Sequence, residues 1–559
     1  MGYDLTQLKA PRSAGGLLRF LVWLAEGPFG GLLAKKFFAD IGIDAMRLEG
    51  AAEALPLEHR LLRVARQTHV EGGEPACAPE PPPASERPYE TAADFVAAYR
   101  DGALTPEDVA ERVLAWSNDS NGLAPPLRAV IAQDADKVMS LAKQSAERYR
   151  KGAPLGPLDG VPVGVKDEVD VAGYPTKVGT SFLGTRPASE DGFVVSKLRE
   201  SGAMLLGKLN MQEIGMGVTG LNPHFGAARN PYDPLRATGG SSSGSASAVG
   251  AGLCPIAVGA DGGGSIRIPA SLCGQVGLKA TFGRISEHGA APLCWSVAHV
   301  GPIAATARDA ALAYLTMAGP DRNDLNSTAQ PPLTLGRFGD ENLEGMRLGV
   351  FRAWFEHADR DVVAACDRVL TELASRGATV VDITIPDLGL LRTAHLVTIV
   401  SEMRASHRLH ILRNRKAYNY DTRLNLALAG HMLATDYVHA QRLRARFDHH
   451  FEKVLRTVDA IVTPSTACTA PVLPLDALQT GESNLETTDR IMRFAPAGNL
   501  TGLPAISCPA GYDNDGLPVG VQFMGRAWSE GLLLRLASVV ESFVERQPAK
   551  VHRKLLTTP

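Results

Sequence analysis

The sequence carries little net charge and no cysteine pair with the spacing of a metal or redox motif. Its 559 residues have a formal net charge of −3, so no global electrostatic attraction to nucleic acid or to anionic lipid is expected. The seven cysteines form no C-x-x-C pair, and their number is odd. This pattern favours buried thiols in a reducing, intracellular compartment over a disulfide framework or a zinc site. No metal, cofactor or nucleic-acid partner is predicted.

The chain also lacks a long hydrophobic run. No stretch of about 18 uninterrupted apolar residues occurs, so no membrane-spanning helix is predicted. The most apolar stretch, residues 17–38, is interrupted by charged residues and by Pro28, and the order of its charges does not fit a signal peptide. Two short helices that break at Pro28 are predicted instead, with Phe20, Trp23 and Leu24 on one face of the first.

The length and the proline distribution predict three regions. A chain of this length exceeds the size at which one compact core stops growing. Residues 71–90 are rich in proline, which predicts a linker or an extended strap. This segment separates an N-terminal helical segment, residues 1–70, from a catalytic region, residues 91–559. Within the latter, residues 387–457 are predicted to form a mostly helical peripheral layer.

Helical and strand-like segments alternate in the catalytic region. Residues 193–198 have a helical apolar face, Gly202 is a candidate helix cap, and a buried strand is predicted directly after it. The same order returns after residue 361, with Gly377 as the candidate cap. Alternation of this kind predicts an α/β domain with a largely parallel or mixed sheet.

Glycine and serine are concentrated between Thr238 and Arg284. Apolar residues interleave with the glycines, which indicates a buried segment rather than a flexible linker. The four residues Gly262, Gly263, Gly264 and Ser265 place unhindered backbone N–H groups beside a hydroxyl. These groups suit an oxyanion hole. They suit a phosphate cradle equally well, so the glycines alone do not decide between the two.

A serine nucleophile needs a proton acceptor within hydrogen-bond reach. Lys166 ends an apolar, strand-like run and is the candidate base. An exposed lysine is protonated at neutral pH and cannot act as a base. Burial disfavours the ammonium form, whereas the neighbouring Asp167 and Glu168 favour it unless their side chains point away.

Three motifs resemble the amidase-signature family of serine hydrolases. They are GVPVGVKD around Lys166, GGSSSGSA from Gly239, and GGGSIRIPASLCGQVGLK from Gly262. The resemblance covers the chain from about residue 90 onward. It implies an α/β fold with a central mixed sheet sandwiched by helices, here carrying an N-terminal helical extension. It further implies a Ser-Ser-Lys relay in place of a Ser-His-Asp triad.

The resemblance assigns roles to individual residues. Lys166 is the implied general base, Ser241 the bridging serine after a cis Gly240–Ser241 bond, and Ser265 the nucleophile. The implied oxyanion-hole amides are those of Gly262, Gly263, Gly264 and Ser265. Two positions depart from the usual pattern, which has glycine in place of Ser243 and threonine in place of Ala260. Neither departure removes a catalytic group.

Within the family, the sequence is similar to the plant-type fatty acid amide hydrolases. The similar segments include LKAPRSAGGLLRFLVWLAEGPFGGLL and GLNPHFGAARNPYDPLRATGGSSSGSASAVGAGLC. The resemblance implies N-acylethanolamine and related long-chain acyl amide substrates, a homodimer, and a cytoplasmic or peripherally membrane-associated protein. It places Met216 and Val218 near the scissile amide. It also implies a membrane-facing cap, formed here by Phe20, Trp23, Phe29, Phe37 and Phe38 beside Lys35 and Lys36.

Five alternatives are weighed at this stage. A general aliphatic or aryl amidase, or the glutamine-hydrolysing subunit of a tRNA amidotransferase, would use the same relay. A lipid-binding module on this fold would need no relay. Residues Gly240–Gly244 also match G-x-S-x-G with Ser242 as nucleophile, but the turn-like residues before them do not fit the strand that a nucleophile elbow follows. Finally, the N-terminal helices have an alternative role in packing on the body or on a second subunit.

Overall fold

The computed structural model describes residues 2–8, 11–49 and 87–557. Most of the predicted linker or strap, residues 71–86, lies outside the described residues, as does the second part of the predicted N-terminal segment, residues 50–70. The six described cysteines are free and buried, as predicted for buried thiols. Cys77 lies outside the described residues.

The strands are short and mostly buried. In chain order they are β1 (Ser13–Ala14), β2 (Val130–Ala132), β3 (Pro162–Lys166), β4 (Met204–Leu209), β5 (Ile256–Ala260), β6 (Val276–Lys279), β7 (Val300–Ala304), β8 (Arg347–Val350), β9 (Thr379–Asp382), β10 (Ala460–Pro464), β11 (Glu482–Ser483), β12 (Ala505–Tyr512) and β13 (Pro518–Gly525).

The α-helices range from a single turn to six turns. In chain order they are α1 (Gly15–Glu26), α2 (Gly30–Asp40), α3 (Ile43–Leu48), α4 (Ala92–Arg100), α5 (Pro106–Asn121), α6 (Ala135–Arg150), α7 (Phe193–Glu200), α8 (Ser243–Gly250), α9 (Arg267–Leu272), α10 (Ala307–Met317), α11 (Arg352–Phe355), α12 (Arg360–Ser375), α13 (Leu388–Ser406), α14 (Arg408–Asn414), α15 (Tyr420–Ala429), α16 (Ala434–Leu455), α17 (Leu485–Met492), α18 (Pro496–Thr501) and α19 (Glu530–Phe543).

One mixed sheet organises the catalytic region. Its order is β2-β4-β3-β5-β7-β6-β12-β13-β10-β8-β9. The pairs β3–β4, β3–β5, β8–β9 and β8–β10 are parallel, and the remaining pairs are antiparallel. Strands β1 and β11 form a separate two-stranded ribbon. The prediction of an α/β fold with a mixed sheet is confirmed.

The predicted succession of helix, glycine and strand is confirmed in α7 and β4. Helix α7 buries Val194, Val195 and Leu198. Gly202 follows with φ +84°, a left-handed conformation that favours glycine. The chain then enters β4, all of whose residues are buried. The same order recurs at α12, Gly377 and β9.

The parallel pairing of β3 with β5 brings two sequence motifs to one edge of the sheet. Val163 lies opposite Ile256 and Val165 opposite Val258. Because parallel strands end on the same side, Lys166 at the end of β3 lies beside the loop that follows Ala260 at the end of β5. Helix α8, which follows Ser241, contacts both strands.

Helices α13 to α16 lie in residues 388–455, and α13, α15 and α16 share a second hydrophobic core with the N-terminal helices. Helix α1 contacts α15 and buries Leu18 and Val22, whereas Phe20 and Trp23 stay exposed. Among the described helices, none alone has the length and apolar character needed to cross a membrane. Taken together, the two helices α1 and α2 have the required length and composition, but the chain bends by 111° between them, at the predicted break.

Candidate active site

The Lys166 side chain is buried at the end of β3 and contacts three oxygen atoms. Its Nζ lies 2.9 Å from Ser241 Oγ and 3.1 Å from the Ala260 carbonyl oxygen. The third neighbour is a carboxylate oxygen of Glu168, 2.7 Å away. The structure therefore brings the predicted base and the predicted bridging serine into direct hydrogen-bond contact. Of the two acidic neighbours, Asp167 points away, toward Lys208.

Ser241 lies at the start of the segment that leads into α8. The Gly240–Ser241 peptide bond is cis, as the resemblance implied. The Ser241 carbonyl accepts a hydrogen bond of 3.1 Å from the Gln212 amide, and the next amide, that of Ser242, donates to the Ser265 carbonyl at 3.4 Å. These backbone contacts hold the two serine segments side by side.

Ser265 lies in the loop between β5 and α9, and its side chain lines the same cavity as Ser241. Within the described residues, its hydroxyl makes no hydrogen bond, including to Ser241 Oγ. The structure thus joins Lys166 to Ser241 directly and places Ser265 in the same cavity wall. The Ser265 hydroxyl is left facing the space that a substrate would fill.

Asp261 organises the loop that carries Ser265. Its buried carboxylate accepts hydrogen bonds from the amides of Gly264 (2.6 Å) and Ile266 (3.1 Å) and from the guanidinium of Arg267. The Asn499 side chain also donates to it, at 2.9 Å. Burial by itself raises the pKa of Asp261, but Arg267 and Asn499 outweigh burial, so the pKa lies well below its usual range. The carboxylate is therefore a fixed anion that holds the loop.

One of the four predicted oxyanion-hole amides is engaged elsewhere. Gly264 donates its N–H to Asp261, so this amide is not available to a substrate oxygen. The glycine is required for another reason: φ is +114°, and a Cβ atom there would lie 2.5 Å from Ile268 Cδ1. The structure records no intramolecular acceptor for the amides of Gly262, Gly263 and Ser265 among the described residues.

His395 holds the peptide group that precedes Gly263. Its Nε2 lies 2.8 Å from the Gly262 carbonyl oxygen. Burial lowers the pKa of His395 to about 4, so the ring is neutral near pH 7. Because a carbonyl oxygen only accepts hydrogen bonds, the ring hydrogen is on Nε2. This contact from α13 fixes the direction of the Gly262–Gly263 peptide, whose N–H belongs to Gly263.

A largely apolar cavity opens in front of Ser265. Met216 and Val218, predicted to lie near the scissile amide, both line it. The other apolar lining residues come from α2, α13, α15 and α17, from the end of β5, from the start of α18 and from connecting segments. They are Leu8, Phe37, Ile41, Ile214, Ala260, Leu293, Cys294, Ala298, Leu396, Ile399, Val400, Met403, Leu428, Ala429, Met432, Leu485, Met492 and Pro496. Among the described residues, no group of three His, Cys, Asp or Glu side chains is arranged to hold a metal ion.

Sequence reasoning missed the roles of Asp261 and His395 and weighed Glu168 only as an unfavourable charge. Glu168 follows Lys166 by two residues but lies in the turn after β3, so the alternation of side chains along a strand does not indicate which way its carboxylate points. His395 also had no sequence signal, because its position in the helical layer gives no indication of the loop on which α13 packs.

The chain is similar to known amide hydrolases. A family model described as Amidase matches residues 111–534. A fatty acid amide hydrolase of Oryza sativa subsp. indica is 38% identical over 583 aligned positions, covering 98% of this chain and 96% of that protein. A fatty acid amide hydrolase of Arabidopsis thaliana is 42% identical over 477 positions, covering 84% of this chain and 79% of that protein.

A solved structure extends the likeness to the fold. The peptide amidase of Stenotrophomonas maltophilia aligns with a TM-score of 0.70 at 27% identity, covering 82% of this chain and 98% of that chain. The sheet, the site and these matches together define an amide hydrolase. The chain belongs to the amidase-signature family, and its fold class and enzyme class are those that the motifs predicted.

The neutral state of His395 makes a prediction about stability and pH. Its pKa of about 4 lies below the ordinary value of 6.5. As the pH falls, the imidazole ring is therefore protonated in the unfolded chain before it is protonated in the folded one. The contribution of the neutral ring to the free energy of unfolding is complete above pH 6.5 and is lost as the pH falls toward 4. His395→Gln keeps an N–H donor without titrating, so wild type should lose about 1.4 kcal/mol more than the variant per pH unit in this window.

Urea unfolding at successive pH values measures this difference. His449→Gln, an exchange at an exposed histidine, serves as the control and should follow the wild-type curve. Parallel wild-type and His395→Gln curves between pH 6.5 and 4 would refute the assignment of a neutral, buried His395.

Proposed function

We propose that this protein hydrolyses fatty acid amides, namely N-acylethanolamines and related N-acyl amides, to a free fatty acid and an amine. The observation that carries the proposal is the contact of 2.9 Å between Lys166 Nζ and Ser241 Oγ, at the wall of an apolar cavity that also holds Ser265. The names of the plant relatives, fatty acid amide hydrolases, support the same substrate class.

In the proposed relay, Lys166 acts as base in its neutral form. It accepts the proton of Ser241 while Ser241 accepts that of Ser265, and Ser265 Oγ forms a bond to the amide carbon. The proton returns through Ser241 to the nitrogen of the leaving amine, and the carbon–nitrogen bond breaks. Water then attacks the resulting ester by the same relay, which releases the fatty acid and restores the Ser265 hydroxyl.

The negative charge that develops on the carbonyl oxygen needs fixed donors. The amides of Gly262, Gly263 and Ser265 are the candidates, because that of Gly264 is bound to Asp261. Each such donor typically contributes about 3 kcal/mol of transition-state stabilisation. Asp261 holds this loop in place through the Ile266 amide, and His395 of α13 holds it through the Gly262 carbonyl.

The lining of the cavity supports a long acyl chain. Leu8 and the α2 residue Phe37 bring the N-terminal segment into the wall, to which α13 contributes apolar residues such as Leu396 and Ile399. An aliphatic chain gains about 0.8 kcal/mol for each methylene that it buries in such surroundings. A glutamine amidase would instead need a polar pocket, so this lining favours the fatty-acyl substrate over the amidotransferase alternative.

Replacement of the proposed nucleophile tests the relay. Ser265→Ala and Lys166→Ala should each reduce kcat/KM for an N-acylethanolamine by at least about a thousandfold, since the serine loses its reacting oxygen or its base. Ser243→Ala is the matched control: this buried hydroxyl has no hydrogen-bond partner in the described part of the chain. It should retain wild-type turnover. Near-normal hydrolysis by either relay variant would refute the assignment.

Acyl-chain length tests the substrate class separately from the relay. With one amine held constant, kcat/KM should rise by at least about tenfold from a two-carbon to a sixteen-carbon acyl group, because the longer chain fills the apolar cavity. Purified Ser265→Ala protein, assayed in parallel, measures contaminating amidase. A preference for the two-carbon amide would exclude the fatty-acyl proposal and leave the relay intact.

The N-terminal helices support a further part of the proposal, contact with a membrane surface. Phe20, Trp23 and Phe29 are more than half exposed, as are the neighbouring Leu17 and Leu32. We define these five residues as the N-terminal apolar patch. Lys35 and Lys36 are exposed beside it, an arrangement suited to an interface with anionic lipid. Of the five aromatic residues predicted for the cap, Phe38 is buried and Phe37 lines the cavity.

Substitutions in the N-terminal apolar patch test this contact. The double variant Phe20→Gln, Trp23→Gln should bind phosphatidylserine-containing vesicles at least about tenfold more weakly, because it removes two anchoring rings. Turnover of a soluble short-chain amide should not change.

The homodimer implied by the resemblance remains a prediction, and a second copy is the competing occupant of the patch. Unchanged vesicle binding, with dissociation of a dimer, would overturn the membrane assignment.

A further inference from the structure

A carboxylate lies against the proposed base. Glu168 and Lys166 approach to 2.7 Å, and their side chains are only 7% and 1% exposed. Glu168 also lines the cavity beside Ser241 and Ser265. The proposed relay does not use this group, although its negative charge is the nearest one to the atom that must accept a proton.

The contacts of Lys166 fit the protonated form of the side chain. An ammonium group has three N–H donors and no acceptor. Three oxygen atoms surround Nζ, those of Ser241 at 2.9 Å, Ala260 at 3.1 Å and Glu168 at 2.7 Å. A neutral amine also fits these contacts, with two N–H donors directed at Ala260 and Glu168 and a lone pair that accepts the hydrogen of the Ser241 hydroxyl. The feature that distinguishes the two forms is the negative charge of Glu168, 2.7 Å from Nζ.

The other charged groups around this pair are engaged with partners of their own or lie farther away. Asp167 accepts hydrogen bonds from the amides of Lys177 and Gly179 and lies 3.6 Å from Lys208. Asp261 is paired with Arg267. On the remaining sides, the titratable groups are Cys294 and Glu287 before β7, and His395 and Glu402 on α13.

Of these groups, the Cys294 thiol is uncharged and the Glu402 carboxylate is hydrogen-bonded to other side chains. Burial, and after it the charge of Glu168, raises the pKa of the Cys294 thiol well above its usual value, so the thiol is neutral. Glu402 accepts hydrogen bonds from Ser296 and Tyr437. The carboxylate whose charge acts on Lys166 at contact distance is thus that of Glu168.

We propose that Glu168 is a positioning residue that holds the proton on Lys166 and thereby sets the pH at which the relay becomes active. This inference rests on the proposed function, in which Lys166 is the base. Loss of one proton from Nζ to hydroxide or to a buffer base breaks an N–H bond and leaves the lone pair directed at Ser241. Buried opposite charges at this distance stabilise the protonated form, so the change requires a higher pH than it would without Glu168.

Glu168→Gln tests the proposal, because it keeps the shape of the side chain and removes its charge. The acid limb of the profile of kcat/KM against pH should move to lower pH by at least about one unit. The plateau at high pH should stay within about threefold of wild type, because the base is neutral there in both proteins. The pH dependence of Ser265 labelling by a fluorophosphonate should move by the same amount, since this reaction needs only the activated serine.

Two variants make the result specific. Glu190→Gln removes the same formal charge from an exposed site, and its limb should coincide with that of wild type. If Glu168→Gln fails to fold, Glu168→Met matches the volume without a charge and carries the same expectation. An unshifted limb in the uncharged variant, with turnover still abolished in Lys166→Ala, would overturn this inference alone. Retained turnover in Lys166→Ala would instead overturn the proposed relay.

Discussion

The buried carboxylate of Asp261 is the interaction on which the site depends. It binds the Gly264 and Ile266 amides on either side of Ser265 and pairs with Arg267 in the next helix. Breaking a buried pair of this kind by removing one partner typically costs about 3–5 kcal/mol. The donors of the proposed oxyanion hole are therefore held in place before a substrate arrives, which is the condition under which fixed dipoles stabilise developing charge.

The sheet provides the second constraint. Strands β3 and β5 are parallel neighbours, so the proposed base at the end of one and the loop after the other meet at the same edge. Helix α8 packs beside them, and Gly244 within it allows close approach, since a Cβ atom there would lie 2.3 Å from the Asn210 backbone nitrogen. The positions of Lys166, Ser241 and Ser265 thus follow from backbone packing rather than from flexible side chains.

The cavity joins parts of the chain that are far apart in sequence. The N-terminal segment, the loop at Met216 and the helices α13 and α15 each supply part of its wall. His395 links this helical layer to the Gly262 carbonyl. The layer that lines the cavity therefore also supports the loop proposed to stabilise the reacting carbonyl.

The sequence alone determined the family, the mixed α/β class and the pairing of Lys166 with Ser241, because short motifs of glycine, serine and lysine encode local backbone and chemistry. It also located the break between α1 and α2, because proline and glycine end helices locally. Tertiary structure decided which amides remain free, which acidic neighbour faces Lys166, and that Phe37 and Phe38 turn inward. Those outcomes depend on burial and on contacts such as that of Asp261 with Asn499, 238 residues apart, which no local pattern records.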